Sequence, residues 1–289
     1  MINKIKTVLL LATLSGLLLM LGALFGGITG LQYAFILALI MNGIAYFFSD
    51  TIVLRLYKAQ PMDSEQYSWV YATVHELTSK MGIPMPKLWI IKTPMANAFA
   101  TGRNPGHASV ALTTGIMDLL SKDELRGVLA HELSHIKNRD ILIATIAATV
   151  ATAIGYLANC LQYAAYWGSL TNGKRRANPL GLLLVAIFMP FAAMLIQLAI
   201  SRSREYLADE TGAYYSQDPL SLASALEKLH HNISVAHLDN NDTHRASTAS
   251  LFIVYPFSAR NWLKLFSTHP PLEARIAHLH KLYEKNILL

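Results

Sequence analysis

Cysteine is almost missing from the chain: Cys160 stands alone among 289 residues, which excludes an intrachain disulfide and suits a reducing compartment. It lies inside an apolar stretch and reads as a small buried hydrophobe, not as a reactive thiol. Charge is scarce too. Charged residues make up 15% of the chain against 53% hydrophobic ones, a balance richer in apolar and poorer in charged residues than that of an ordinary soluble domain, which points to lipid contact. The formal charge of +6 is not gathered into one basic patch. Lysines and arginines sit beside apolar runs, as membrane-flanking residues do, and this argues against nucleic acid as a partner. Internal repeats and low-complexity tracts are lacking, so a repeat array is excluded.

What the chain does have is long uncharged runs. Thr7 to Ile28 carries no charge, follows Lys4 and Lys6, and exceeds the roughly 20 apolar residues that cross a hydrocarbon core as a helix. A signal peptide would have a shorter apolar region, and here a second run, Leu31 to Phe48, follows at once. A transmembrane hairpin turning near Gly26, Gly27 and Gly30 is therefore expected. Ile141 to Trp167 and Leu180 to Ile200 bring the candidate spans to four. In a four-span arrangement Lys4, Lys6, Arg55, Lys58, Lys137, Arg139, Arg202 and Arg204 share one side, expected to be cytoplasmic. Lys174, Arg175 and Arg176 disagree, since the same arrangement sends them across the membrane. The last two runs forming a shallow or protein-covered hairpin is the alternative, and both stay open.

Residues 50 to 140 have ordinary soluble character. Ser64 to Met81 reads as an amphipathic helix, and Lys87 to Thr93, Asn97 to Thr101 and Ser109 to Thr114 read as short strands. A turn signal at Arg103 to His107 separates the last two, so a small antiparallel β-sheet is expected in an otherwise mainly α molecule. After the fourth run, residues 201 to 289 supply more helix, interrupted by a polar loop around Asp239 to Thr248.

His131-Glu132-Leu133-Ser134-His135 matches the H-E-x-x-H zinc pattern. Its context is helical: Ser121 to Glu124 is a capping box, and Leu125, Val128, Leu129, Leu133 and Ile136 form an apolar stripe. Residues four apart sit above one another on a helix, so both imidazoles face one ion, with Glu132 close by. With 11 histidines in the chain, chance supplies this pattern in about one sequence in eighty of this composition.

A catalytic zinc keeps three protein ligands and one open position. A third histidine six residues after His135 is excluded, because Ile141 stands there, and Asn138 replaces the glycine of that pattern. Glu205 is the candidate instead, in Ser201 to Asp209 on a helix leaving the fourth run, with Asp209 one turn on to accept the free N–H of a ligating histidine. A solvated charged face, with Arg202 and Arg204 as partners, is the alternative, and spacing alone does not choose.

The chain resembles the HtpX-like membrane zinc metalloproteases, relatives of the CAAX prenyl protease, with an HExxH-plus-Glu metal site. The likeness spans nearly the whole length. It is carried by the N-terminal apolar hairpin, Asn97 to Gly102, His131 to His135, Glu205-x-x-x-Asp209 and Ser267 to Arg275. The resemblance implies Glu205 as third zinc ligand, one Zn2+ per chain and a zincin-like catalytic domain. It also implies cytoplasmic catalysis at a bacterial inner membrane, and protein substrates that are damaged or misassembled membrane proteins. The expected organisation is a transmembrane hairpin (1–48), a first catalytic part with sheet and HExxH helix (49–140), a second apolar hairpin (141–200), and a second catalytic part with the third ligand (201–289).

The expected chemistry is zinc-assisted peptide hydrolysis, with Glu132 as general base and then acid. Asn97 is a candidate for gripping a substrate strand added to the sheet edge, the alternative being that it ends a turn after Pro94. His269 precedes Pro270, Pro271 and a helix from about Leu272 to Glu284; it either sets that helix start or helps stabilise an oxyanion. Other histidines read as ordinary helix residues. An intramembrane protease is a weaker reading, because Lys122, Asp123, Glu124, Arg126, Lys137, Arg139 and Asp140 flank the motif. A scaffold with a structural zinc needs a fourth protein ligand, and none is apparent in the sequence.

Overall fold

Gly27 breaks the long N-terminal helix α1 (Ile2–Phe47), with φ 56° and ψ −138°, a conformation that glycine adopts far more readily than other residues. The two halves fold back on each other. They meet so closely at Gly22 that a Cβ there would lie 2.4 Å from that of Ala34, and Asn42 Nδ2 donates to Ser15 Oγ across the pair at 2.7 Å. Gly27–Phe47, 21 residues long, is apolar enough to cross a membrane by length and composition. Its outer surface shows Phe35, Ile36, Leu39, Ile40 and Phe47. The computed structural model describes residues 2–146, 149, 202–235 and 270–285. Cys160, the loop at Lys174, Arg175 and Arg176, the fourth apolar run and most of the third, the loop Asp239 to Thr248, and His269 lie outside them.

Helix α2 (Ser49–Leu56) leads into a short strand β1 (Gln60–Pro61) and helix α3 (Ser68–Met81). The α3 start falls four residues later than the sequence suggests, because the Asp63 carboxylate accepts the N–H groups of Glu65 and Gln66 at 2.8 and 3.0 Å and holds that stretch as a turn. Gly82, at φ 65°, closes the far end.

Three strands follow where expected: β2 (Lys87–Ile91), β3 (Ala98–Gly102) and β4 (Ala108–Thr113). The expectation of a wholly antiparallel sheet is corrected. The order is β1-β2-β4-β3, with β1 antiparallel to β2 and β3 antiparallel to β4, but β2 and β4 run parallel. The cause is a tie between strand ends. Thr114, just past β4, donates its hydroxyl to the Thr93 carbonyl just past β2 at 2.8 Å, and Gly115 N–H donates to the same oxygen at 2.9 Å. The chain must therefore cross to the outside before the β3–β4 hairpin brings β4 in beside β2, buried along its whole length as inner strands of such sheets are.

Helix α4 (Thr114–Leu119) precedes α5 (Lys122–Lys137), whose capping box forms as expected. Ser121 Oγ accepts Glu124 N–H at 3.2 Å, and the Glu124 carboxylate accepts Ser121 N–H at 2.8 Å. Leu125, Val128, Leu129, Leu133 and Ile136 are all buried, each contributing about 1.5–3 kcal/mol. After a helical segment at 141–146 come α6 (Arg202–Ser216), α7 (Pro219–Val235) and α8 (Leu272–Glu284). Helix α5 is the hub, packed on β3, α3, α6 and α7, while α8 lies across α6 and α7. Gly212 lets α6 approach the backbone of α5 at His131, where a Cβ would lie 2.9 Å from the His131 nitrogen.

Candidate metal centre

One turn of α5 brings His131 and His135 together with Nε2 atoms 3.2 Å apart and ring planes perpendicular. Glu205, on α6, sends its two carboxylate oxygens to 3.8 Å from each Nε2. The ligand atoms of the three residues all lie within 4.8 Å of one another. Glu205 and Asp209 are 6% and 0% exposed, so they do not form a solvated charged face.

Each imidazole has a carboxylate behind it. Asp209 Oδ1 is 2.9 Å from His131 Nδ1. Both oxygens of Asp140 lie 3.2 Å from His135 Nδ1. With the Nδ1 side of each ring facing an anion, the Nε2 lone pairs are left to face the gap shared with Glu205.

Two of these neighbours escaped the sequence reading. Asp140 counted there only as one of the charges flanking the motif. It reaches His135 because Arg139, at φ 57°, reverses the chain after α5, and because Asp140 N–H donates to the His135 carbonyl at 3.2 Å. Arg275, on α8, was only one residue of the C-terminal motif. Its Nε and Nη2 grip Asp209 at 2.8 and 2.7 Å, with the guanidinium 2% exposed and its Nη1 3.8 Å from Glu205.

Glu132 is 5% exposed and accepts the Ala100 N–H of β3 at 2.8 Å. Burial pushes its carboxyl up to about 7. Burial lowers His131, against the pull of Asp209. For His135 burial acts the same way, but Asp140, Glu205 and Glu132 overcome it and raise the group to about 10. Burial also opposes ionisation of Asp209, yet Arg275 and His131 hold it below the usual carboxylate range. Asn97 is buried at the head of β3, its N–H donating to Thr113 Oγ1 at 2.9 Å and its carbonyl accepting from Thr113 N–H at 3.0 Å. His269 lies outside the described residues.

This donor set fits a metal. Two imidazoles oriented by carboxylates and one further carboxylate converge on a common point, the usual make-up of a catalytic site with an open position. Four carboxylates surround the rings, with the guanidinium groups of Arg275 and Arg204 among them, and Asp140, Glu205 and Glu132 together raise His135 against the effect of burial, a setting that favours a cation.

His131, His135 and Glu205, on two packed helices with the buried Glu132 beside them, could hold a metal ion, and the chain is a metalloendopeptidase. The chain belongs to peptidase family M48, whose profile its residues 64–283 match. It is 49% identical to a protease HtpX homolog of Syntrophobacter fumaroxidans, over 97% of this chain and 99% of that protein. It is 48% identical to one of Sulfurihydrogenibium sp., over 99% of this chain and 98% of that one. The crystal structure of S. mikatae Ste24p aligns at 18% identity and a TM-score of 0.49, covering 96% of this chain and 65% of that one.

Proposed function

We propose that the chain is a zinc-dependent endopeptidase of a bacterial inner membrane, which hydrolyses misfolded or damaged membrane proteins on the cytoplasmic side as part of quality control. The observation that carries the reading is the meeting of His131, His135 and Glu205 beside Glu132 in a buried, anionic pocket. The two Nε2 atoms and the Glu205 carboxylate would hold one Zn2+ per chain. Zinc held there supplies Lewis acidity, polarising a peptide carbonyl and acidifying water. Glu132 takes the proton of the attacking water and passes it to the leaving amine, a task suited to a carboxyl lifted towards neutrality by burial. Asp209 and Asp140 hold the two rings in orientation.

The membrane part of the reading rests on the apolar Gly27–Phe47 helix and its exposed aliphatic surface, with the bilayer as partner. The catalytic parts at 49–140 and 201–289 then sit on the side of the basic flanks. Substrate placement is assigned to β3, the end strand of the sheet, with Asn97 gripping the peptide backbone.

The test uses the full chain in detergent with zinc and casein. Glu132→Gln should keep one zinc per chain and lose cleavage by about 100-fold or more. Wild-type rates from zinc-loaded Glu132→Gln, or proteolysis that survives complete metal removal, would overturn the reading. Accessibility labelling around Lys174 tests the topology.

A further inference from the structure

We propose that Thr145 closes one end of the β3 edge, so that a substrate peptide pairs with the strand on only one side of its scissile bond. This rests on the reading that peptides add to β3, and it concerns where the pairing stops.

The register determines which groups are involved. Asn97 exchanges hydrogen bonds with Thr113 across to β4, and Phe99 and Thr101 stand opposite Ala111 and Ser109 in the same phase. Antiparallel alternation then turns the main-chain groups of Ala98, Ala100 and Gly102 towards the outer edge. Among the described residues, two of those three N–H groups are engaged. Ala100 donates to Glu132 at 2.8 Å, and Gly102 donates to Thr145 Oγ1 at 3.4 Å.

These two contacts differ in kind. Glu132 belongs to the proposed chemistry and meets the strand through Oε2 alone, which leaves Oε1 to serve water, and its position marks the scissile bond opposite Ala100. Thr145 is fully buried in the helical segment that follows Asp140, and its hydroxyl is saturated. It donates to the Ile141 carbonyl at 2.7 Å, and so accepts from the Thr101 hydroxyl at 3.0 Å and from Gly102 N–H. One proton and two lone pairs account for all three contacts. Nothing in this arrangement is released by catalysis. A peptide lying along β3 therefore finds pairing positions towards Ala98, whereas beyond Ala100 it meets Thr145 and leaves the sheet. The segment that orients His135 through Asp140 thus also limits the length of substrate held on one side.

The test uses zinc-loaded full chain in detergent and quenched fluorescent peptides with one fixed scissile bond, lengthened a residue at a time on either side. A companion set carries a single backbone N-methyl group at each position. In the wild type kcat/KM should climb about tenfold over two added residues on one side and stay flat on the other. Thr145→Ala should turn the flat side into a rising one, and Thr145→Ser, which restores the hydroxyl, should keep the wild-type profile. Equal length dependence on both sides of the wild type, or a Thr145→Ala protein of normal zinc content with the wild-type profile, overturns the closure. N-methylation harmless at every position overturns strand addition itself. N-methylation costly on one side, with Thr145→Ala unchanged, overturns the closure alone.

Discussion

Asp140 lies 3.2 Å from His135 Nδ1 although α5 has ended between them, and the left-handed Arg139 is what turns it back. Asp140→Asn should therefore weaken zinc by about 10–100-fold, as loss of an orienting carboxylate does, with little change in the unfolding midpoint of the metal-free protein. A competition titration with a zinc chelator measures it. Arg139→Gly should keep the affinity, whereas Arg139→Val puts a β-branched residue at positive φ and should lose it.

Arg275 and Asp209 form a pair with no solvent to screen it, at 2% and 0% exposure. Arg275→Met would leave Asp209 without its main counter-charge, a change that costs about 3–5 kcal/mol when one partner of a buried pair is removed. Denaturant unfolding should show the loss. Arg275→Lys should recover only part of it, since an ammonium lacks the two-pronged fit.

Gly212 sits where α6 touches the backbone of α5 beside His131. Gly212→Ala should push the helices apart, destabilise the fold by about 1–3 kcal/mol, and weaken zinc by displacing Glu205. Thermal unfolding and zinc titration together check this, and a substitution that left both unchanged would contradict the packing described.

Glu124 caps α5 and also accepts from Ser224 and Lys228 of α7 at 2.6 and 2.9 Å. Burial opposes its ionisation, but Lys228, Ser224 and Ser121 lower it to about 2 from an ordinary 4.5. The stability it adds is present in full above about pH 4.5 and is lost as pH falls towards 2. Glu124→Gln should cost about 1–2 kcal/mol at neutral pH and flatten the stability profile across that acidic window.

How much of this was legible in the sequence depends on the range of the interactions. Helix α5 was readable because its capping box and apolar stripe are local, and the histidine spacing follows from helix geometry alone. Glu205 and Asp209 were readable as a pair one turn apart, but only α6 packing against α5 brings them to the rings. The parallel β2–β4 pairing was not legible, since it depends on a tie between Thr93 and Thr114, 21 residues apart. Asp140 needed a single positive φ at Arg139, which no side-chain pattern announces. Arg275 needed the docking of a helix that begins 63 residues after Asp209.

That last dependence gives the molecule a built-in order of arming. During synthesis the imidazoles leave the ribosome first, then Glu205, and the guanidinium that neutralises Asp209 follows that aspartate by 66 residues. A nascent polypeptide that stalls before Arg275 holds an uncompensated anion where its centre should close.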